Sequence, residues 1–513
     1  MLTRLGERWT GLGWNTRGWV LAALCLSMCL AMAMQQWVGL RLGGFDLSIF
    51  HEAVRSYANF ELPRAEIKTV HHQFPPGFNL LGDHFSPIYA LLAPLYWVWE
   101  DPRMLLLAQA VLFAAGVPVV RTFARRLWAP TTLPSWAPDA AGLVYALGWP
   151  LLAASRSGFH EVAFAVPLTL VMFERAQARS YRWMAVAALG LCCTKEDIGL
   201  MVGAFGLVML LRSRRSPVDR AGTRWSLVLL VGGPLLTALA IAVLIPAMGG
   251  VSGYYWDYTS LGTGPKDAVV TVLTHPWLAV SVALDHPAKW MLLLFLFGPL
   301  LFVPLRSLST VAVVPLLAER LYSENTNHWV GKFHYDAFLW PILVIATIEA
   351  FPMVQSAARR SGRTIVALTV TATLAAGAWS LFAPWRWSPS DTSQGLIDAA
   401  ARIPDGASAE ATNFIAPRLT PSHYTVLVDQ TPRCQDYVVV RSDGKASWPL
   451  EPEEIQARIE LLLSHGYEVV FDQDGALLLR RTAGADVPGC AMPTADSTPY
   501  KDVIRDDPGW WIF

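Results

Sequence analysis

Five short polar clusters hold the side chains of this sequence that are equipped for chemistry. They are Asp46 in Gly44-Phe-Asp-Leu47, Asp83 and His84 in Leu81-Gly-Asp-His-Phe-Ser-Pro87, His160 and Glu161 in Phe159-His-Glu161, the triplet Lys195, Glu196 and Asp197, and His334 and Tyr335 in Lys332-Phe-His-Tyr-Asp336. Carboxylates and imidazoles move protons, and an ammonium group stabilises developing negative charge. Each cluster also has a plainer structural reading. Asp46 precedes an apolar periodicity at Leu47, Phe50, Val54 and Tyr57/Ala58, so it suits a helix N-cap, and a cap residue can also line a site. His84 can bond Asp83 or a backbone group and simply fasten its loop. Lys195 and Glu196 can neutralise one another. A solvated turn needs no such triplet, however, and a buried pair is a poor source of stability, which favours function for Lys195. His334 is open to a hydrogen-bonding, ligand-binding or metal-binding role. His71-His72 reads as a loop feature unless a metal appears, because adjacent residues on a helix or strand point different ways.

These clusters are strung between long apolar runs. The 513 residues are 53% hydrophobic and 16% charged, with 22 Trp. That balance identifies an all-α polytopic membrane protein. Zero formal net charge removes the usual signature of a nucleic-acid partner. The first run, Trp19 to Leu40, is longer than a signal-peptide core and lacks a small-residue cleavage site, so it is read as a retained span. Further runs near 103–120, 139–154, 161–174, 183–194, 196–211, 225–247, 289–305, 307–321, 335–351 and 364–383 make about eleven spans. Several are shorter than the roughly 20 residues a full crossing needs.

Loop charge assigns the sides. Basic residues gather at Arg4, Arg8 and Arg17, at Arg121/Arg125/Arg126, at Arg175/Arg179/Arg182, at Arg212/Arg214/Arg215 and at Arg359/Arg360/Arg363. The positive-inside rule puts these in the cytoplasm. The chain must then cross and return between clusters, which makes the turn from Arg156 to Glu161 external and splits 183–211 into two short helices meeting at Lys195-Glu-Asp197. The loops 43–95, 248–288 and 319–336 also fall outside. All five chemical clusters therefore share one external side. Ionisable groups at membrane depth are costly unless they face water, protein or ligand, and a single external cavity accommodates them together. The aromatics of Gly-Tyr-Tyr-Trp-Asp257-Tyr suit either an interfacial belt or stacking on a sugar or lipid.

Two domains are expected, a membrane domain over 1–383 and a small extracytoplasmic α/β domain over 384–513. In the second, Leu396–Arg402 and Glu451–Ser464 read as helices, and Tyr424–Val428 and Tyr437–Val440 as strands. Tyr467–Phe471 and Ala476–Arg480 flank Asp-Gln-Asp-Gly, a hairpin signal. No Gly-rich nucleotide fingerprint is present. The Gly509–Phe513 tail is suited to docking on this domain or touching lipid. Cys434 and Cys490 fall in this domain and can pair in an oxidising compartment. Cys25, Cys29, Cys192 and Cys193 lie in apolar runs as small hydrophobes.

Gly44-Phe-Asp-Leu47, Leu81-Gly-Asp-His-Phe-Ser-Pro87, Phe159-His-Glu161, Lys195-Glu-Asp197 and His334-Tyr335 occur in the order seen in a family of prokaryotic polytopic membrane proteins of unknown function. The sequence resembles that family well over 43–345 and loosely beyond. That family in turn looks like the membrane glycosyltransferases of the C-type fold, which carry an acidic residue early in a long first external loop and use polyprenyl-phosphate sugars. Asp46 matches that position, although Leu47 follows it where several such families have a second acid. The resemblance implies sugar transfer from a polyprenyl-phosphate donor to a glycan or lipid acceptor outside the cytoplasmic membrane, with the N-terminus inside. Asp46 would then be the base. Lys195, with Arg156, would contact the phosphate, and Asp83, His84, His160, Glu161, Glu196, Asp197, His334 and Tyr335 would orient the base or bind substrate. A divalent cation is compatible with this acid and histidine content, but no ligand spacing specifies one. The alternative is a transporter or lipid-binding scaffold for cell-envelope polymers, without catalysis, since broken helices and intramembrane charges also mark transporters.

Overall fold

A computed structural model of the chain describes residues 9, 11–214, 219–353, 358–509 and 513. Arg4, Arg8 and Arg215 of the basic clusters, and residues 510–512 of the aromatic tail, lie outside the described residues. The architecture is mostly helical, with one small sheet near the C-terminus.

Four helices are long and apolar enough to cross a membrane: Trp14–Val38, Pro102–Trp128, Arg220–Ala247 and His334–Met353. Pro276–Ala283 and Pro287–Leu300 form a fifth candidate, a pair bent by 80°. Among the described residues four helices, or five with the bent pair, therefore have the length and composition of full crossings, where about eleven are expected from the sequence. The physical reason is local. The 139–154 run breaks into Ala137–Ala146 and Trp149–Arg156 at Leu147-Gly148, where Pro150 follows in the first turn. The 183–211 stretch folds as the 12-residue Tyr181–Cys192 and the 16-residue Ile198–Ser213, joined at the Lys195 turn. Val162–Gln177 spans only 16 residues. At a rise of about 1.5 Å per residue, such helices cannot each traverse a hydrocarbon core of about 30 Å. They pack instead into one apolar core with Trp14–Val38 and Pro102–Trp128, around Phe113, Tyr145, Trp149 and Trp340.

The first long loop holds the Gly44–Ala58 helix, the short Glu66–His71 helix and a 3₁₀ turn at Leu80–Gly82. Gly43 is the N-cap of Gly44–Ala58, so Asp46 stands inside the first turn and is not the cap residue. An acid there still meets the positive end of the helix dipole. Leu47, Ala53 and Val54 on this helix are fully buried.

The C-terminal sheet runs β1 (Ser408–Ala411), β2 (Tyr424–Leu427), β3 (Tyr437–Arg441), β4 (Tyr467–Gln473) and β5 (Ala476–Arg481), in the order β2-β1-β3-β5-β4. β1 is parallel to both β2 and β3, whereas β5 is antiparallel to β3 and β4. Asp474 and Gly475 both take positive φ, as the tight hairpin turn requires. The Pro452–Ser464 helix starts with a reciprocal capping box between Glu451 and Glu454. Cys434 and Cys490 are joined as a disulfide. The sheet's inner face does not close on itself. Ala411, Leu427 and Val439 share one core with Leu47, Val54 and Tyr89 of the first loop. The Gly44 and Phe45 amides donate to the Asn413 carbonyl and Asn413 Oδ1 at 2.7 and 2.9 Å.

Candidate functional site

Asp46 is the exposed acid of the group. Its side chain is 44% exposed, and Oδ1 lies 3.4 Å from His160 Nε2, whose side chain is 5% exposed. The His160 backbone N–H donates to Gln109 Oε1 at 3.2 Å, which fixes the turn that carries the ring. Gln109 reaches that turn again by donating to the Gly158 carbonyl at 2.7 Å. His160 then stacks on His334, with ring centroids 3.5 Å apart, and His334 packs on Tyr335 at 4.3 Å. His160 Nδ1 is buried with no hydrogen-bond partner among the described residues.

Tyr335 leads into a recess lined by Lys195, Asp197, Ile198, Leu316, Glu319, Arg320, His328 and Phe338. Lys195 Nζ sits 3.0 Å from Asp197 and 3.8 Å from Glu319. Burial penalises its charge, but Asp197, Glu319, Glu196 and Glu161 outweigh that and raise its pKa well above the ordinary lysine value. Lys195 is thus a fixed cation at any physiological pH. The same ammonium helps hold Asp197 ionised, its pKa lowered against the cost of burial. Arg320 pairs with fully buried Asp336 and donates through Nε to the His328 carbonyl at 2.8 Å. That ties the Val314–Tyr322 helix to the His334–Tyr335 segment. His328 is kept neutral, first by burial and then by the Lys195 and Arg320 charges.

A second wing is built from the Asp83–His84 turn. His84 Nδ1 lies 2.7 Å from Glu196 Oε1, and the Phe85 amide donates to Glu196 Oε2 at 3.1 Å. Glu196 therefore serves His84, and Lys195 turns to Asp197; the two neighbours do not neutralise one another. Burial disfavours a charged His84, yet Glu196 and Asp83 outweigh it and raise its pKa. Asp83 pairs with Lys68 Nζ at 3.1 Å and accepts the Tyr255 hydroxyl at 2.5 Å. Those partners, with His84, overcome the burial cost and lower the Asp83 pKa.

Asp46, His160, His334, Tyr335 and Lys195 thus form one connected surface, with Glu161 buried beside it and interacting electrostatically with both Lys195 and Tyr335. Arg156 stands apart. Its Nη1 donates to the Ala376 carbonyl at 2.8 Å, and its Nη2 is buried without a hydrogen-bond partner among the described residues. Sequence reading missed Lys68, Tyr255, Glu319 and Arg320, each of which meets the site from a distant stretch of chain. Tyr255 stood only among aromatics suited to an interfacial belt or to stacking on a sugar or lipid, and a lone Glu-Arg pair in an apolar run carries no directional signal. A single ion needs several ligand atoms converging on one point, and the three-residue His/Asp/Glu grouping that provides this among the described residues is His71, His72 and Asp502, not the set around Asp46.

The sequence pattern of the family described as "Predicted membrane protein (DUF2079)" matches residues 36–478, and the chain belongs to that family. No curated protein matches the chain. Among solved structures, the chain is similar to ArnT from Cupriavidus metallidurans bound to undecaprenyl phosphate, at 13% identity and a TM-score of 0.51, covering 92% of this chain and 99% of that one. The same protein in its apo state matches at 11% identity and a TM-score of 0.50, covering 91% and 99%. An apo oligosaccharyltransferase from Archaeoglobus fulgidus aligns with a TM-score of 0.46 at 12% identity, covering 94% and 76%. The likeness to ArnT is one of fold, and the resemblance to C-type membrane glycosyltransferases holds at that level.

Proposed function

We propose that this member of the DUF2079 family is a membrane glycosyltransferase. It moves a sugar from a polyprenyl-phosphate donor to an acceptor hydroxyl on the outer side of the cytoplasmic membrane. The observation that carries the reading is the continuous surface from the half-exposed Asp46 carboxylate, through His160, His334 and Tyr335, to the Lys195 recess. A base at one end of that surface and a fixed cation at the other suit glycosyl transfer from a phosphate. The ArnT fold, seen with undecaprenyl phosphate bound in that protein, supports a lipid phosphate as the donor's carrier.

In this reaction Asp46 accepts the proton of the acceptor hydroxyl as its oxygen bonds to the anomeric carbon. The bond from that carbon to the donor phosphate breaks, and the polyprenyl phosphate leaves with the electron pair. Lys195 stabilises the charge arriving on the phosphate, and His160, held by Gln109, orients Asp46. Arg156 keeps Nη1 on the Ala376 carbonyl, which leaves Nη2 as its donor for the phosphate. The Cys434–Cys490 disulfide supports an external position for the sheet, and packing of the sheet on the first loop supports the same side for that loop. The C-terminal domain that carries the sheet, over residues 384–513, is suited to holding the glycan or lipid acceptor.

The test is sugar transfer from a polyprenyl-phosphate donor by the purified chain in liposomes. Asp46→Asn should lower turnover by at least about 100-fold, and Lys195→Ala by about 100- to 1000-fold. Full transfer by both variants would reject the assignment. Substrate movement across the bilayer without any released polyprenyl phosphate would favour a transporter instead.

A further inference from the structure

We propose that His71, His72 and Asp502 bind a divalent metal ion of the Zn²⁺ class, which pins the C-terminal tail to the first loop and the sheet. The site lies outside the Asp46–Lys195 surface and does not depend on the transferase reading. His71 ends the Glu66–His71 helix and His72 is its C-cap. The helix stops between them, so the two rings come to lie on one side, with centroids 5.0 Å apart. They are 1% and 3% exposed. The tail crosses over them: the Tyr500 amide donates to the His72 carbonyl at 3.1 Å, and the Tyr500 ring stacks on His72.

Proton accounting points both Nε2 atoms at one spot. Asp429 accepts from the Thr431 amide at 2.9 Å and from Arg433 at 2.8 Å, and its Oδ2 lies 3.1 Å from His71 Nδ1. That anchored carboxylate accepts a hydrogen bond from His71 Nδ1–H. The Tyr254 hydroxyl donates to the Tyr500 carbonyl at 2.8 Å, so it accepts from His72 Nδ1. Each ring is left with its Nε2 lone pair facing Asp502. His71 Nε2 is 2.8 Å and His72 Nε2 3.8 Å from Asp502 Oδ2, and the three ligand atoms lie within 4.8 Å of one another. His72 Nε2 has no hydrogen-bond partner among the described residues. A proton on His71 Nε2 would satisfy Asp502 but still leave His72 Nε2 bare, whereas a cation satisfies all three. The nearby ammonium groups do not fill that role, because Lys68 is paired with Asp83 and Lys501 with Asp257.

Two imidazole nitrogens and one carboxylate suit Zn²⁺, with water or the second Asp502 oxygen in the fourth position. The Asp429–His71 contact is the carboxylate support that metal-bound histidines usually have. An ion here also places Lys501, next in the chain to Asp502, with its ammonium 4.7 Å from the centroid of the Tyr255 ring at the Asp83 wing.

The experiment uses full-length protein purified without a polyhistidine tag, stripped with chelator and titrated with Zn²⁺ alone. The expected uptake is about one tightly held ion per chain. It should be lost in His72→Ala and in Asp502→Asn, and weakened about 10- to 100-fold in Asp429→Asn. Chelator should also expose the segment around Lys501 to protease in the wild type. A wild-type chain that takes up no Zn²⁺ overturns the proposal, whatever the variants do. So does uptake undiminished in both folded variants.

Discussion

His84 shows how much a single side chain carries here. It joins the first loop to the Lys195 turn through Glu196, and its ring stacks on Tyr255 at 4.2 Å. Its pKa is raised in the folded chain, so the charged pair's contribution is complete below the unfolded-state value near about 6.5 and fades as pH rises through the higher folded value. Removing the carboxylate in Glu196→Gln should therefore cost about 1–3 kcal/mol at pH 5 to 6 and much less in alkaline buffer. Thermal melts of both proteins across that range check the sign, and a difference that grows with pH would contradict it. At this scale the sequence was half legible. Asp46, His160, Lys195 and His334 stood out as charges or imidazoles beside apolar runs. The pairings did not, because Lys195 meets Glu319 and His84 meets Glu196 only through folding.

Among the elements, the helical hairpin below the Lys195 turn depends on close approach. A methyl group on Gly199 would come within 2.3 Å of the Gly233 carbonyl oxygen, and one on Gly206 within 2.4 Å of the Leu230 amide nitrogen. Small residues let the Ile198–Ser213 and Arg220–Leu239 helices pack backbone to backbone. Gly206→Leu should force them apart at a cost of about 1–3 kcal/mol, lowering the melting temperature in detergent. An unchanged melt would mean that the hairpin yields without penalty. Element type was largely readable from periodicity, as Pro452–Ser464 and the β4–β5 hairpin show. Two kinds of element were not. β1 lies at the centre of the parallel part of the sheet, yet reads Ser-Ala-Glu-Ala, with no β-branched residue to mark it. It is held by neighbours on both sides, and by buried Glu410 accepting from Arg458 at 2.9 Å. The half-length helices looked like spans because hydropathy counts apolar residues and does not register breaks such as the one at Leu147-Gly148.

Over the whole molecule, the first loop works as a keystone. It packs on the helical body through Ala163 and Phe164 and on the sheet through Leu427 and Val439, all in one core. Two of the chemical clusters belong to that loop and meet later ones, Asp46 beside His160 and His84 beside Glu196. What hydropathy could not supply was the tail's course, because Tyr500, Lys501 and Asp502 sit in a stretch with no periodicity and return to Tyr254, Asp257 and His71, hundreds of positions earlier in the chain.

The central claim is that the Asp46–Lys195 surface receives a lipid-linked phosphate. An experimental structure with polyprenyl phosphate added measures this most directly. The account predicts the phosphate within about 4 Å of Lys195 Nζ, with the space beside Asp46 open for an acceptor. A phosphate bound at the other end of the helices, or away from Lys195 altogether, would contradict it.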